Sequence, residues 1–173
     1  MQIISQAIVE TMNQQIKSEF GASAQYIAIA VYFDDEGLPD LAGFFYRQAE
    51  EERMHAMKFV HFMLDAGVRP TIPATPQLRN EFSGAADAVQ YALEQEIRVT
   101  NEINNLVTVA KANNDHTSEN FLQWFVNEQV EEVSSMTSLL QTIKHAGSSL
   151  LLVEDYVRRV AAAAATAEPG GAE

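Results

Sequence analysis

The sequence predicts an all-α protein, a four-helix bundle with a long crossover between helices two and three and a short fifth helix at the C-terminus. Three observations carry this. Apolar residues recur with the helical period and strand alternation is nearly absent. Turn-forming clusters cut the chain into stretches far longer than strands. One connection is long and proline-rich, whereas two others are short.

Helix one is expected from about Ser5 to Asp34, closed by the turn Asp35-Glu36-Gly37-Leu38-Pro39. Helix two follows from about Leu38 to Ala66 and stops at Gly67. Pro70, Pro73 and Pro76 then exclude helix and make an extended connection. Helix three starts near Ser83, the candidate N-cap, and runs to about Asn113. After Asn113-Asn114-Asp115-His116, helix four begins with Thr117 or Ser118 as N-cap and Glu119 in its first turn. It ends near His145-Ala146-Gly147, and a fifth helix fits Ser149 to about Ala164. Residues 1–164 form one domain and 165–173 a mobile tail. Short turns make helices one and two, and three and four, antiparallel hairpins, which the long connection joins across the bundle.

A chain of 173 residues is long enough to bury a proper core. The absence of cysteine excludes disulfides, thiolate zinc sites and thiol catalysis, and agrees with a cytoplasmic location. The first ten residues lack the basic start and apolar core of a secretory signal, and no apolar run is long enough to cross a bilayer. A formal charge of −13 gives no basic footprint for nucleic acid and favours cations as partners.

The chemistry lies where acids interrupt apolar stripes. Helix one carries Ile8, Met12, Ile16, Ser23 and Tyr26 with Glu19 among them; helix two carries Phe45, Phe59 and Phe62 with Glu52 and His55 between. Helix three has Val89, Leu93, Ile103 and Ala110 with Glu96, and helix four Phe121, Phe125, Met136, Leu139 and Ile143, broken by Gln129 and Glu132. Glu52 and His55, three apart, share one helix face. Each acid lies about 13 to 14 residues into its helix, roughly 20 Å at the α-helical rise. Midpoints of packed helices coincide whichever way they run, so the acids should meet in one layer. Unpaired buried charges are costly, and no buried-looking lysine or arginine is available. Either several acids are protonated, or cations sit between them. Four carboxylates and one imidazole have room for two divalent ions with one carboxylate bridging; such ligands fit iron or manganese, with zinc able to compete.

These residues resemble the ferritin family, specifically non-haem bacterial ferritins. The matching segments are Lys17-Ser18-Glu19-Phe20 with Tyr26, Ala49 to His55, Gln95-Glu96-Ile97, and Asn120 to Glu132 with its Trp124, Glu128-Gln129 and Glu131-Glu132. The resemblance spans about residues 5 to 160 and implies a ferritin-like bundle with a dinuclear ferroxidase centre. Glu19 and His55 would bind one iron, Glu52 would bridge, and Glu96 and Glu132 would bind the other. Gln129 would stand beside the pair or near dioxygen, Glu51, Glu128 and Glu131 would form a third iron site, and Tyr26 and Trp124 would supply electrons. Glu119, with Asp115 and His116, matches the lining of threefold pores.

The implied activity is oxidation of Fe²⁺ to Fe³⁺ with O₂ or H₂O₂, followed by mineral storage inside a shell of 24 subunits. A reductase for iron release is a possible further partner. Leu150, Leu151, Leu152, Val153 and Val157 give the fifth helix an apolar surface that needs a partner, either its own bundle or other subunits around a fourfold axis. The sequence departs from haem-containing bacterioferritins: helix four lacks a second Glu-x-x-His, and Arg53 stands where a haem-ligating Met is expected. Met54 is rotated away by about 100°. The competing readings are a di-iron or di-manganese oxygenase acting on an organic substrate, and an acidic helical scaffold. His61 and His145 read as surface or packing residues.

Overall fold

The computed structural model describes residues 2–74 and 76–167. They form α1 (Gln6–Asp35), α2 (Pro39–Asp65), α3 (Ala85–Ala112), α4 (His116–Ala146) and α5 (Leu150–Ala167), with no strand among the described residues. None of these helices is long and apolar enough to cross a membrane.

Local chemistry sets the ends. The Ser5 side chain accepts from the Ile8 N–H at 3.3 Å and caps α1. At the other end Gly37 takes φ +74°, which lets its N–H reach Asp34 O and the Leu38 N–H reach Phe33 O at 2.9 Å. Two expected caps differ. Gly84, not Ser83, stands at the cap of α3; the Ser83 N–H and hydroxyl instead donate to Asp87 Oδ2 at 2.9 and 3.1 Å, a first-turn acid reaching back. Asp115, not Thr117 or Ser118, caps α4, accepting from the Ser118 N–H at 3.0 Å and from the Ser5 N–H at 2.8 Å. The two carboxylate oxygens serve separate donors, Oδ1 the Ser118 N–H and Oδ2 the Ser5 N–H.

The crossover runs beside α1 in the same direction. Thr71 N–H donates to Asn13 Oδ1 at 2.7 Å, Pro76 packs where a Cβ on Gly21 would meet its ring at 3.0 Å, and the Gln25 amide pairs with both backbone groups of Arg79 at 2.7 and 2.8 Å. It therefore spans the bundle and delivers α3 parallel to α2, with α4 returning alongside α3.

The core is divided. One apolar cluster joins Tyr26 and Phe33 of α1, Leu41 and Phe45 of α2, Val89 of α3, and Met136 and Ile143 of α4. The other joins Ile8, Met12 and Ile16 with Phe59, Ile103, Leu106 and Phe125. The expected stripe residues are buried, except that Phe62, Leu93 and Phe121 are partly exposed; the Phe62 and Phe121 rings stack at 3.9 Å.

The fifth helix extends past the expected end at Ala164 to Ala167, because an alanine run favours continued helix. Residues 165–167 are thus helical, and 168–173, the rest of the expected tail, lie outside the described residues. Its apolar residues divide: Val153 and Val157 are buried in the chain's own bundle, whereas Leu151 and Leu152 are 78% and 65% exposed. Buried Glu154 accepts from the Asp40 and Leu41 N–H groups at 2.8 Å each, so α5 supplies the side-chain cap that Leu38, at the N-cap of α2, cannot.

Candidate metal centre

Between the two apolar clusters lies the acid layer. Glu19, Glu52, Glu96 and Glu132 come from the middles of α1, α2, α3 and α4, and each is at most 5% exposed. His55 is buried with them, and its Nδ1 stands 3.2 Å from Glu52 Oε2. No lysine or arginine is buried among the described residues.

Among the described residues, two groups have ligand atoms all within 4.8 Å of one another: Glu19, Glu52 and His55, and His55, Glu128 and Glu132. The first unites three of the residues expected around one ion. In the second, His55 and Glu128 stand where Glu52 and Glu96 are expected beside Glu132. Glu96 joins neither group, because its carboxylate accepts from the Tyr26 hydroxyl and from Gln129 Nε2 at 3.2 Å. Gln129 Nε2 is also 3.3 Å from the Thr100 hydroxyl, whose own proton goes to the Glu96 carbonyl at 2.8 Å.

Burial dominates the proton balance. It pushes Glu19 and Glu52 well above the carboxylate range, reinforced by the charge of Glu52 on Glu19 and of Glu96 on Glu52. Burial also raises Glu96, and it raises Glu132, with help from Glu96, to about 9. The Tyr26 hydroxyl is raised strongly by burial and then by Glu96. One Glu19 oxygen, Oε2, is buried without a partner. Without cations the layer holds protons; with cations those protons are displaced. Carboxylate oxygens around one imidazole nitrogen suit a hard or borderline divalent ion such as Fe²⁺ or Mn²⁺, and the orphaned Glu19 oxygen is an open ligand position.

Sequence reasoning missed two glutamines that hold these acids. Gln15 donates to Glu19 Oε1 at 2.9 Å, and Gln48 donates to Glu51 while its own Oε1 is buried without a partner. Both lie four residues before a layer acid, Glu19 or Glu52, so a polar residue one turn upstream on the same stripe was the available signal.

The remaining expected residues are spread outward. Glu51 and Glu128 are half-buried and Glu131 is exposed; burial raises Glu51, and Glu128 Oε1 reaches 3.9 Å from His55 Nε2. Trp124 is 40% exposed, edge-on to His55 at 5.4 Å with Lys58 Nζ 4.2 Å from its ring centre. Glu119 sits at the start of α4, away from the layer, paired with Lys111 at 3.7 Å and His116 at 3.3 Å. Asp115 is buried in its capping role, and His116, His61 and His145 are exposed. Arg53 and Met54 are exposed as well.

A family model described as a ferritin-like domain matches residues 9–146. Ferritin BfrB of Mycolicibacterium smegmatis is 50% identical over 153 residues, covering 88% of this chain and 84% of that protein. A bacterial non-heme ferritin of Staphylococcus haemolyticus is 31% identical over 160 residues, covering 92% and 96%. An open pore ferritin from Archaeoglobus fulgidus superposes with a TM-score of 0.88 at 34% identity, covering 91% of this chain and 98% of that one. Sequence, relatives and architecture agree: the chain belongs to the ferritin family, with iron storage as the function that family implies.

Proposed function

We propose that this chain oxidises Fe²⁺ at the four-helix acid layer and stores the Fe³⁺ as a hydrated oxide inside a closed shell of 24 subunits. One observation carries the reading: Glu19, Glu52, Glu96, Glu132 and His55 converge between two apolar clusters with no buried cationic side chain beside them. Two Fe²⁺ ions are the substrate. Glu19, Glu52 and His55 hold one, Glu132 and Glu96 receive the second, and Glu52 lies between; Glu128 shares His55 in an alternative arrangement. Filling the second position requires Glu96 to turn from Tyr26 and Gln129, which then serve as hydrogen-bond partners at its edge.

Binding displaces the protons held on the raised carboxylates, and their restored charge favours the more highly charged ferric product. Electrons pass to O₂ or H₂O₂. Glu51, Glu128 and Glu131, on the path from buried to exposed, form a weaker third position through which product iron leaves. Glu119 belongs to the entry pore, Tyr26 and Trp124 are the aromatic residues placed to supply electrons, and haem has no place in the reading. A cytoplasmic setting, with a reductase for iron release, completes it.

The test is aerobic addition of excess Fe²⁺ to purified protein, followed by sizing of the product with its iron. Hundreds of irons retained in each very large soluble particle support storage. Oxidation that halts near two irons per chain in a small particle supports an oxygenase acting on an organic substrate, and no binding leaves only a helical scaffold.

A further inference from the structure

A cavity of about 260 Å³ lies between α1, α3 and the crossover, lined in part by Ser18, Gln95, Arg98 and Glu102. Its wall is fixed, since the Gln25 amide bonds both backbone groups of Arg79 and Pro76 sits against Gly21. Gln95 is 8% exposed, and its side-chain nitrogen is buried with no hydrogen-bond partner. A buried amide in that state is costly unless something else accepts its protons.

Arg98 follows three residues later on the same face of α3 and lines the same cavity. Its guanidinium rests 5.9 Å from the Tyr91 ring centre and forms no ion pair among the described residues. Glu102, one turn further, also lines the cavity without pairing with Arg98. The cavity wall thus carries a guanidinium, the Gln95 amide and the Ser18 hydroxyl, with the Glu102 carboxylate beside them.

We propose that this cavity binds a small oxyanion, inorganic phosphate or a short carboxylate, through Arg98, the Gln95 amide and the Ser18 hydroxyl. The planar guanidinium matches two oxygens of such an anion, and the amide and hydroxyl supply donors to the others. A chain of net charge −13 repels anions in general, and Glu102 does so on the same wall, so capture here depends on these local donors. None of these residues is an acid of the layer, although Gln95 adjoins Glu96 in sequence and the Arg98 charge also acts on the Glu96 carboxyl.

The test uses the assembled, iron-free protein and calorimetric titration with sodium phosphate, then sodium acetate, at constant ionic strength set by chloride. Saturable binding at one site per chain is expected for at least one of them, and which one binds identifies the source class. Arg98→Met and Gln95→Leu should each weaken it by about tenfold or more, the loss of one charge-assisted contact. Arg98 is exposed, so that variant should assemble normally, checked by particle size and helical content. Where Gln95→Leu fails to assemble, Gln95→Glu keeps the size and sets a like charge against the anion, with the same expected loss. No saturable binding of either anion overturns the site. So does binding that both variants leave intact, and so does loss in Arg98→Met alone, which marks an isolated surface arginine.

Discussion

Gln15 donates to Glu19 Oε1 at 2.9 Å and leaves Glu19 Oε2 buried without a partner. One oxygen of the carboxylate is therefore held and the other is presented to the layer. Replacing Gln15 by Leu keeps the volume and removes the hold. Divalent metal affinity should fall about tenfold or more, as it does when the partner of a ligand is lost. Anaerobic titration with Fe²⁺ checks this, and unchanged affinity would show that Gln15 merely fills space.

His55 belongs to both ligand groups of the layer, and Glu52 Oε2 stands 3.2 Å from its Nδ1. Glu52→Ala and His55→Ala should each abolish rapid Fe²⁺ oxidation while helical content and particle size stay as in the parent. Stopped-flow absorbance on the variants decides it. Parent-like oxidation in either one removes that residue from the centre.

The raised carboxylates make stability depend on pH in a defined direction. Their folded pKa values lie above the unfolded values, Glu132 at about 9 and Glu19 and Glu52 well above the carboxylate range, so above about pH 4.5 the folded metal-free state binds more protons than the unfolded one. Stability from these groups is greatest below the unfolded value and is lost as pH rises toward the folded one. Added Mn²⁺ or Zn²⁺ competes with the same protons and should stabilise more at high pH. The gap between the thermal midpoints of metal-loaded and metal-free protein should widen from about pH 5 to pH 9. A constant gap would mean that metal binds elsewhere.

Glu154 accepts two backbone N–H groups at the start of α2 while its own helix, α5, packs Val153 and Val157 into the bundle. Glu154→Ala should cost about 2 kcal/mol, within the range for a lost cap and buried charge-assisted bonds. Glu154→Gln should recover part of it. Denaturant unfolding of both variants measures the difference, and a loss under about 0.5 kcal/mol in the alanine variant would place the hold on α5 in its apolar contacts alone.

The layer was legible because helical spacing and matched depth are sequence-local quantities: Glu19, Glu52, Glu96 and Glu132 sit at helix middles, and helix middles meet. His55 followed from its three-residue spacing to Glu52. The orientation of Glu96 was not legible. It depends on Tyr26 and Gln129 from two other helices, which compete with a metal position for the same carboxylate. The Glu154 cap escaped for a similar reason, since the bonded groups are 113 and 114 residues apart and a lone acid on a helix carries no mark of what it will cap. Ser83, Thr117 and Ser118 are plausible caps by residue type; Gly84 and Asp115 stand there instead, with Asp87 and Asp115 each gathering more than one donor on one carboxylate.

The two apolar clusters at either end of the bundle bear on how this protein tolerates change. Each cluster draws side chains from all of the four long helices, so each end is clamped without help from the middle. The waist is the weakly cohesive zone, held by hydrogen bonds and protons when empty and by ions when full. Ligand replacements there should alter the chemistry while the ends keep the helices in register, whereas a cavity cut in either end loosens the frame that brings the ligands together. Hydrogen exchange along the helices of the metal-free protein should accordingly be faster at the waist than at the clamps on either side, the reverse of the fraying expected of a bundle with one continuous core.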